Sequence, residues 1–137
     1  MTSIFRRCLP LVALLAGAGC ATTPQTMRSS TLTPASEGTV KVDSGPNNST
    51  TLQVKVHHLA PASKVWPEAT TYVVWVQPRN APAQNIGVLS MDANLEGGLD
   101  ATTLQHRFQV LVTPEANGQV GAPSHDAVFT SDVDRAD

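Results

Sequence analysis

From residue 38 onward, apolar and polar residues alternate with a period of two, and this pattern restricts the chain to β structure. The run at residues 51–57 shows it most clearly, because Leu52, Val54 and Val56 fall on one face of an extended strand. Residues 70–77 are almost uniformly β-prone, as expected of a central strand that is covered on both faces. Apolar residues do not recur at helical spacing over a dozen positions after residue 20, so the sequence predicts almost no helix.

The alternating runs divide into about seven short strands, separated by segments rich in Gly, Pro and Asn. Two of these segments, Gly97-Gly98 and Asn117-Gly118, favour tight hairpin turns because glycine and asparagine accept a positive φ. About seven strands in roughly 100 residues is typical of an antiparallel β-sandwich. The sequence therefore predicts one all-β sandwich domain over residues 38–137, with strands at 39–42, 51–57, 70–77, 86–91, 99–104, 106–113 and 127–133.

Trp75, in the third predicted strand, is the expected centre of the core, because a buried tryptophan on the third strand is the hub of immunoglobulin-like sandwiches. The strand Tyr72-Val73-Val74-Trp75-Val76, together with residues 85–89 and 108–115, resembles small immunoglobulin-like or fibronectin-type extracytoplasmic domains of bacteria. It is more distantly similar to the extracytoplasmic domain of some anti-sigma factors. The resemblance implies an immunoglobulin/fibronectin-like antiparallel sandwich. It carries over no catalytic residues, because these families share none.

The first twenty residues have the layout of a secretory signal peptide. Arg6 and Arg7 precede an apolar run at residues 9–16, and small residues at 17–19 lead to Cys20. Counted with the small residues at 17–19, this stretch is about a dozen residues long, whereas a helix that spans a bilayer needs roughly 20. The sequence therefore predicts that residues 1–19 are a signal peptide.

With Cys20 at the cleavage position, this segment resembles the lipobox of bacterial lipoproteins, although Gly17 stands where that family prefers leucine. The resemblance implies that signal peptidase II cuts before Cys20 and that Cys20 is lipidated on its thiol and its amine, with palmitate as a typical acyl chain. The membrane is then a partner through acylated Cys20. Ala21 is not the aspartate that signals inner-membrane retention in this family, so the outer membrane of the cell envelope is favoured over the inner. The alternative is cleavage by the general signal peptidase near Ala18, which leaves a soluble protein with a free thiol.

Residues 20–37 are rich in Thr, Ser and Pro and hold few large apolar side chains. Such a segment cannot offset the entropy of ordering by burying apolar surface. It is therefore predicted to be a flexible, disordered tether, with a span of about 20–25 Å.

The charge and the cysteines of the predicted mature chain limit its function classes. Nine Lys and Arg lose Arg6 and Arg7, which leaves seven against eleven Asp and Glu, a formal charge of −4. Without a basic run, nucleic-acid binding is not expected. Cys8 lies in the predicted signal peptide, so the mature domain is expected to have no disulfide.

Three histidines, His57, His106 and His125, are the candidates for a metal site. A site that gathers them is geometrically conceivable, but their spacing follows none of the usual metal-binding patterns. The fourth histidine, His58, is in phase with Val56 and is expected to end the core face. No metal or other cofactor is therefore predicted, and metal binding by the three histidines is kept as an alternative.

Trp66 is the candidate binding residue. It lies in the proline-bounded segment at residues 61–67, where a tryptophan can offer a rigid stacking face to a sugar or a peptide. The alternative is that its side chain plugs one end of the sandwich.

The sequence does not predict an enzyme. Ser124-His125-Asp126 holds the residue types of a catalytic triad, but the triad is a spatial arrangement that consecutive residues do not form. The expectation is instead a lipid-anchored, extracytoplasmic structural or interaction module of the bacterial envelope, with an unidentified envelope protein or glycan as partner. The alternatives are a periplasmic metal-binding protein and a carbohydrate-binding module that uses Trp66.

Overall fold

Two antiparallel sheets of five strands each pack face to face in the computed structural model, which describes residues 22–135. Cys20 and the predicted signal peptide lie outside the described residues. A short helix, α1, spans Ala62–Val65, and a 3₁₀ turn spans Pro46–Asn48. The strands are β1 (Gln25–Thr26), β2 (Arg28–Ser29), β3 (Glu37–Ser44), β4 (Thr50–His57), β5 (Thr71–Pro78), β6 (Gln84–Val88), β7 (Ser90–Met91), β8 (Gly97–Thr103), β9 (Arg107–Glu115) and β10 (Phe129–Asp134).

Strands β3 to β10 follow the connectivity of an immunoglobulin-like sandwich. Sheet A has the order β1-β3-β4-β8-β7, and sheet B has the order β2-β10-β9-β5-β6. When β3 to β10 are lettered A, B, C, C′, D, E, F and G in turn, the sheets read A-B-E-D and C′-C-F-G, an immunoglobulin-type arrangement. The predicted fold class is confirmed.

Every strand that the alternation predicts is present, and the described residues contain three more than the predicted seven. Two of the additional strands, β1 and β2, precede the predicted domain. The third arises because the predicted strand at residues 86–91 is interrupted at Leu89, so that β6 pairs in sheet B and β7 pairs in sheet A.

The core lies between the sheets and is built from alternate residues of each strand. On β5 the inward set is Tyr72, Val74 and Val76, all of them buried. Burying a Val, Leu or Phe side chain contributes about 1.5–3 kcal/mol, which lets a domain without cysteines in its described residues fold stably. The other members of this core are Met27, Val40, Leu52, Val54, Val56, Leu59, Ala62, Ala69, Leu89, Phe108, Val110, Val112, Val128, Phe129 and Val133.

Two segments cross from one sheet to the other and close the two sides of the sandwich. On one side, β1 pairs with β3 and β2 pairs with β10, and Met27 between them is 4% exposed. On the other side, β6 pairs with β5 and β7 pairs with β8, and Leu89 between them is 3% exposed. Met27 N donates to Gly38 O at 2.8 Å, and Leu89 N donates to Tyr72 O at 3.0 Å. These crossings leave short strands at the sheet edges, which limits pairing with other chains.

The prediction of a flexible tether over residues 20–37 is wrong for residues 25–36. Met27 is part of the core. The Gln25 side chain donates hydrogen bonds to Ser131 Oγ at 3.0 Å and to Asp132 O at 2.8 Å, both in β10. Ser30 N donates to Val128 O, just before β10, at 2.9 Å. Backbone pairing and the Gln25 side chain therefore fix this polar segment to the sandwich. A crossing this short needs only one buried apolar residue, so its composition resembles that of a linker.

The prediction of a tight turn at Gly97-Gly98 is also wrong, because both glycines belong to β8. The turn precedes them, with Leu95 at a φ of 61° and Asp92 N donating to Glu96 O at 2.8 Å. A Cβ at Gly97 would overlap the Met91 side chain. The glycine is needed for close approach to the neighbouring strand and not for a positive φ.

The predictions of a tight turn at Asn117-Gly118 and of His58 at the end of the core face are also wrong. Asn117-Gly118 opens a long connection at residues 116–128, and neither residue has a positive φ. His58 is exposed and does not end the core face, because its φ of 55° turns the chain. The next residue, Leu59, is fully buried in its place.

Replacing Tyr72 by Phe is expected to change how stability depends on pH. The Tyr72 hydroxyl donates to Ala60 O at 2.5 Å, and burial raises the pKa of Tyr72 from 10.0 to about 12. Between pH 10 and about pH 12 the unfolded chain loses this proton while the folded protein keeps it. The free energy of unfolding therefore falls there by about 1.4 kcal/mol per pH unit on account of this residue.

At neutral pH, Tyr72→Phe should cost about 1 kcal/mol, because the hydrogen bond is lost. Urea melts of the two proteins should show this difference shrink and then reverse as the pH rises above 10. A difference that stays constant up to the highest pH would contradict the prediction.

Candidate functional site

The strands run between two ends of the sandwich that carry different groups. The entry end, where the described chain begins, consists of residues 22–24, 44–50, 78–84, 103–107 and 134–135. The far end consists of residues 30–37, 57–71, 91–97 and 115–129. A strand of eight residues, such as β4, is about 26 Å long and separates the two ends.

Arg135 links the connections of the entry end. Its guanidinium donates to Thr50 Oγ1 at 2.9 Å, to Ser44 Oγ at 2.8 Å and to Asn48 O at 3.1 Å. Its backbone amide donates to His106 O at 2.9 Å, and Nη2 lies 2.7 Å from Nε2 of His106. These contacts join the β3–β4 connection to the β8–β9 connection.

The described chain also begins at the entry end. Thr22 and Thr23 line a shallow hollow together with Val42, Val133 and Arg135. Cys20 lies only two positions before Thr22 in the sequence.

The structure does not bring together the three histidines considered as metal ligands. His57 lies at the far end, with Nδ1 3.2 Å from Glu96 Oε1, whereas His106 lies at the entry end beside Arg135. His125 lies at the far end in the β9–β10 connection. Among residues 22–135, no group of three or more His, Cys, Asp or Glu side chains is placed to hold a metal ion.

The two longest connections of the described chain meet at the far end. They are the β4–β5 connection at residues 58–70, which contains α1, and the β9–β10 connection at residues 116–128. Trp66 of the first and His125 of the second stack with ring centroids 3.5 Å apart at an interplanar angle of 34°. This contact joins the two connections into one surface.

Trp66 is half-buried, and its ring packs against the edge of the core. His125 covers part of the ring as well, so the geometry matches the alternative in which Trp66 plugs the end of the sandwich. Binding of a sugar or peptide through Trp66 stays a prediction.

Trp75 is fully buried, but it is not the hub of the core between the sheets. It lies on the opposite face of β5 from Tyr72, Val74 and Val76, on the outer side of sheet B. The β9–β10 connection crosses this outer side, where Asn85 Nδ2 donates to Gly118 O at 2.9 Å. The expectation failed because five consecutive residues of β5 are buried and alternation alone does not say which face is inward.

Three buried polar side chains hold the β9–β10 connection to the outer side of sheet B. Trp75 Nε1 donates to Thr113 Oγ1 at 2.8 Å, and Thr113 Oγ1 donates to Glu115 Oε1 at 2.9 Å. The backbone amide of Ser124 donates to the same Glu115 oxygen at 2.8 Å. Glu115 Oε2 and His125 Nδ1 are buried without a hydrogen-bond partner among the described residues. The network therefore fixes the loop that carries His125.

An open groove of about 580 Å³ lies on sheet B towards the entry end. Gln77, Gln109 and Asp132 line it and are register neighbours on adjacent strands, with Arg79 and Arg107 at its entry-end side. It is polar and shallow, so it lacks the enclosed apolar walls of a typical small-molecule pocket.

Neither Glu115 nor Arg135 is among the candidate residues that the sequence indicates. A signal for Glu115 was present, because the alternation of Phe108, Val110 and Val112 places Thr113 and Glu115 together on the opposite face. Nothing in the sequence pattern separates Arg135 from a solvated arginine near the end of the chain.

Comparisons of the chain with protein-family models, with curated proteins and with solved structures gave no match. Within residues 22–135, no helix has the length and apolar character needed to cross a membrane.

Replacing Glu115 by Ala is expected to lower the free energy of unfolding by about 2–4 kcal/mol, because the buried Thr113 hydroxyl and Ser124 amide both lose their acceptor. Limited proteolysis should then cut first within residues 116–128. Glu68→Ala is the matched control, since Glu68 is exposed and should stay within about 0.5 kcal/mol of the unmodified protein. Equal urea melts for the two variants would contradict the role of Glu115.

Proposed function

We propose that this chain is a lipid-anchored, extracytoplasmic interaction module of the bacterial envelope. Acylated Cys20 holds the entry end at the membrane, and the far end presents its loops to a partner protein. The observation that carries the proposal is the position of Thr22, which begins the described chain at the entry end, opposite the two longest connections.

The anchor is supported by the sequence and by simple energetics. Each buried methylene of an acyl chain contributes about 0.8 kcal/mol, so one chain binds reversibly and two or more hold a protein stably. A lipidated Cys20 would therefore need no further contact to keep the domain on the membrane.

The far end has features that suit a protein partner. Leu32 and Leu95 are exposed there, and Trp66 at the same end is half-buried against the core. The Glu115 network and the stack of Trp66 on His125 hold the two long connections in place. Loops that are ordered before binding lose less entropy on association, and the corresponding loops of immunoglobulin variable domains form their binding surface.

Neither alternative function gains support from the geometry. A metal-binding role would need His57, His106 and His125 at one place, and they lie at opposite ends of the sandwich. A glycan-binding role would need a free Trp66 ring, and His125 and the core cover parts of that ring.

Labelling of cells with radioactive palmitate tests the anchor. The unmodified chain should be labelled and should sediment with membranes, and Cys20→Ala should be unlabelled. Cys8→Ala is the matched control and should behave as the unmodified chain, because Cys8 lies in the segment proposed to be removed. An unlabelled, soluble product of the unmodified gene would overturn the proposal.

A further inference from the structure

We propose that the entry end of the sandwich rests on the phospholipid surface, with Leu104 in the headgroup layer and with Arg79 and Arg107 beside lipid phosphates. The inference deepens the proposed function and rests on acylation of Cys20. The lipid contact proposed here is made by a surface of the folded domain, whereas the anchor is the single residue Cys20, which lies outside the described residues.

The length of chain between the anchor and the domain limits how far the entry end can lie from the membrane. Thr22 lies two positions after Cys20, with only Ala21 between them, and two extended residue steps reach about 7 Å at most. Thr22 lines the same hollow as Val42 and Arg135 of the entry end. Since the acyl chains of Cys20 enter the bilayer, the entry end must lie within this reach of the headgroups.

Leu104 is 78% exposed and is the most exposed large apolar residue of the described chain. It lies in the three-residue connection between β8 and β9. The neighbouring Gln105 holds this connection in place, because Gln105 N donates to Thr103 Oγ1 at 3.2 Å and Gln105 O accepts from Thr50 Oγ1 at 2.8 Å. The leucine is therefore presented to the exterior by an ordered turn. A lipid interface would remove this apolar side chain from water.

Charged side chains are distributed unequally between the two ends of the sandwich. The entry end carries Arg79, Arg107 and Arg135 against Asp134, and Asp132 lines the adjoining groove beside Arg79 and Arg107. Arg79 is exposed and has no ion-pair partner within residues 22–135, and the pair of Arg107 with Asp134 is exposed and therefore weak. The far end carries one exposed lysine, Lys64, against five exposed acidic residues, which are Glu37, Glu68, Asp92, Glu96 and Asp126. A surface of anionic phosphates therefore favours contact with the entry end and repels the far end.

The experiment places one thiol-reactive fluorophore on the mature, acylated protein. Because Cys8 is removed and the Cys20 thiol is blocked by its lipid, an introduced cysteine is the only free thiol. Leu104→Cys carries the label at the entry end, and Lys64→Cys carries it in α1 at the far end as the matched control. The protein is reconstituted into vesicles of phosphatidylethanolamine and phosphatidylglycerol that contain lipids with a nitroxide on the headgroup.

The two labels lie about 26 Å apart along the strands, so quenching at residue 104 should be severalfold stronger than at residue 64. Equal quenching at both positions overturns the inference while the anchor stands. Protein that fails to float with the vesicles overturns the anchor and the inference together.

A second variant tests the leucine itself with a reporter at Asn80→Cys, an exposed position of the entry end. Leu104→Asp should reduce quenching of this reporter, because a carboxylate is repelled from the phosphates. Leu95→Asp, at the far end, should leave it unchanged. Both leucines are exposed, so both variants should melt as the parent protein does. Unchanged quenching in Leu104→Asp would show that this residue does not contact lipid.

Discussion

The crossing of residues 25–29 from one sheet to the other is the contact on which the account depends. It places Met27 between the sheets, pairs β1 with sheet A and pairs β2 with sheet B. Because both cysteines precede the described residues, the sandwich has no disulfide to hold its sides together. Apolar packing and the two crossing segments do this instead. The same crossing fixes where the chain enters the domain, so it also determines which end of the domain an anchor at Cys20 would face.

Polar networks complete the two ends of the sandwich in different ways. At the entry end, Arg135 joins two connections through neutral acceptors and leaves Arg79 and Arg107 facing outward. At the far end, buried Glu115 and the stack of Trp66 on His125 order the two long connections. One end is thus short and cationic, and the other is built from long, ordered loops with an acidic surface. This difference supports the proposal that the domain is anchored at the entry end and binds a partner at the far end.

The sequence predicts the positions of the strands well, but it predicts less well which face of each strand points into the core. The alternation of apolar and polar residues predicts β4 and β9, because each of them has one buried face. The continuous run of β-prone residues predicts β5, because most of this strand is buried. Because burial in β5 is uniform, the sequence pattern does not reveal that Trp75 faces the outer side of sheet B. Long-range contacts explain the other failures. Residues 25–36 are ordered by strands far away in sequence, and Glu115 is buried by a loop that folds back over it.

Hydrogen exchange at the amides of Met27 and Ser30 tests the central claim most directly. These amides donate to Gly38 O and Val128 O at 2.8 and 2.9 Å, so they should exchange as slowly as the amides of the neighbouring sheet edges. A flexible linker of the same composition would leave both of them exchanging at the rate of an unstructured peptide. That result would show that residues 25–30 are not part of the sandwich. It would also remove the basis for the proposed orientation of the domain at the membrane.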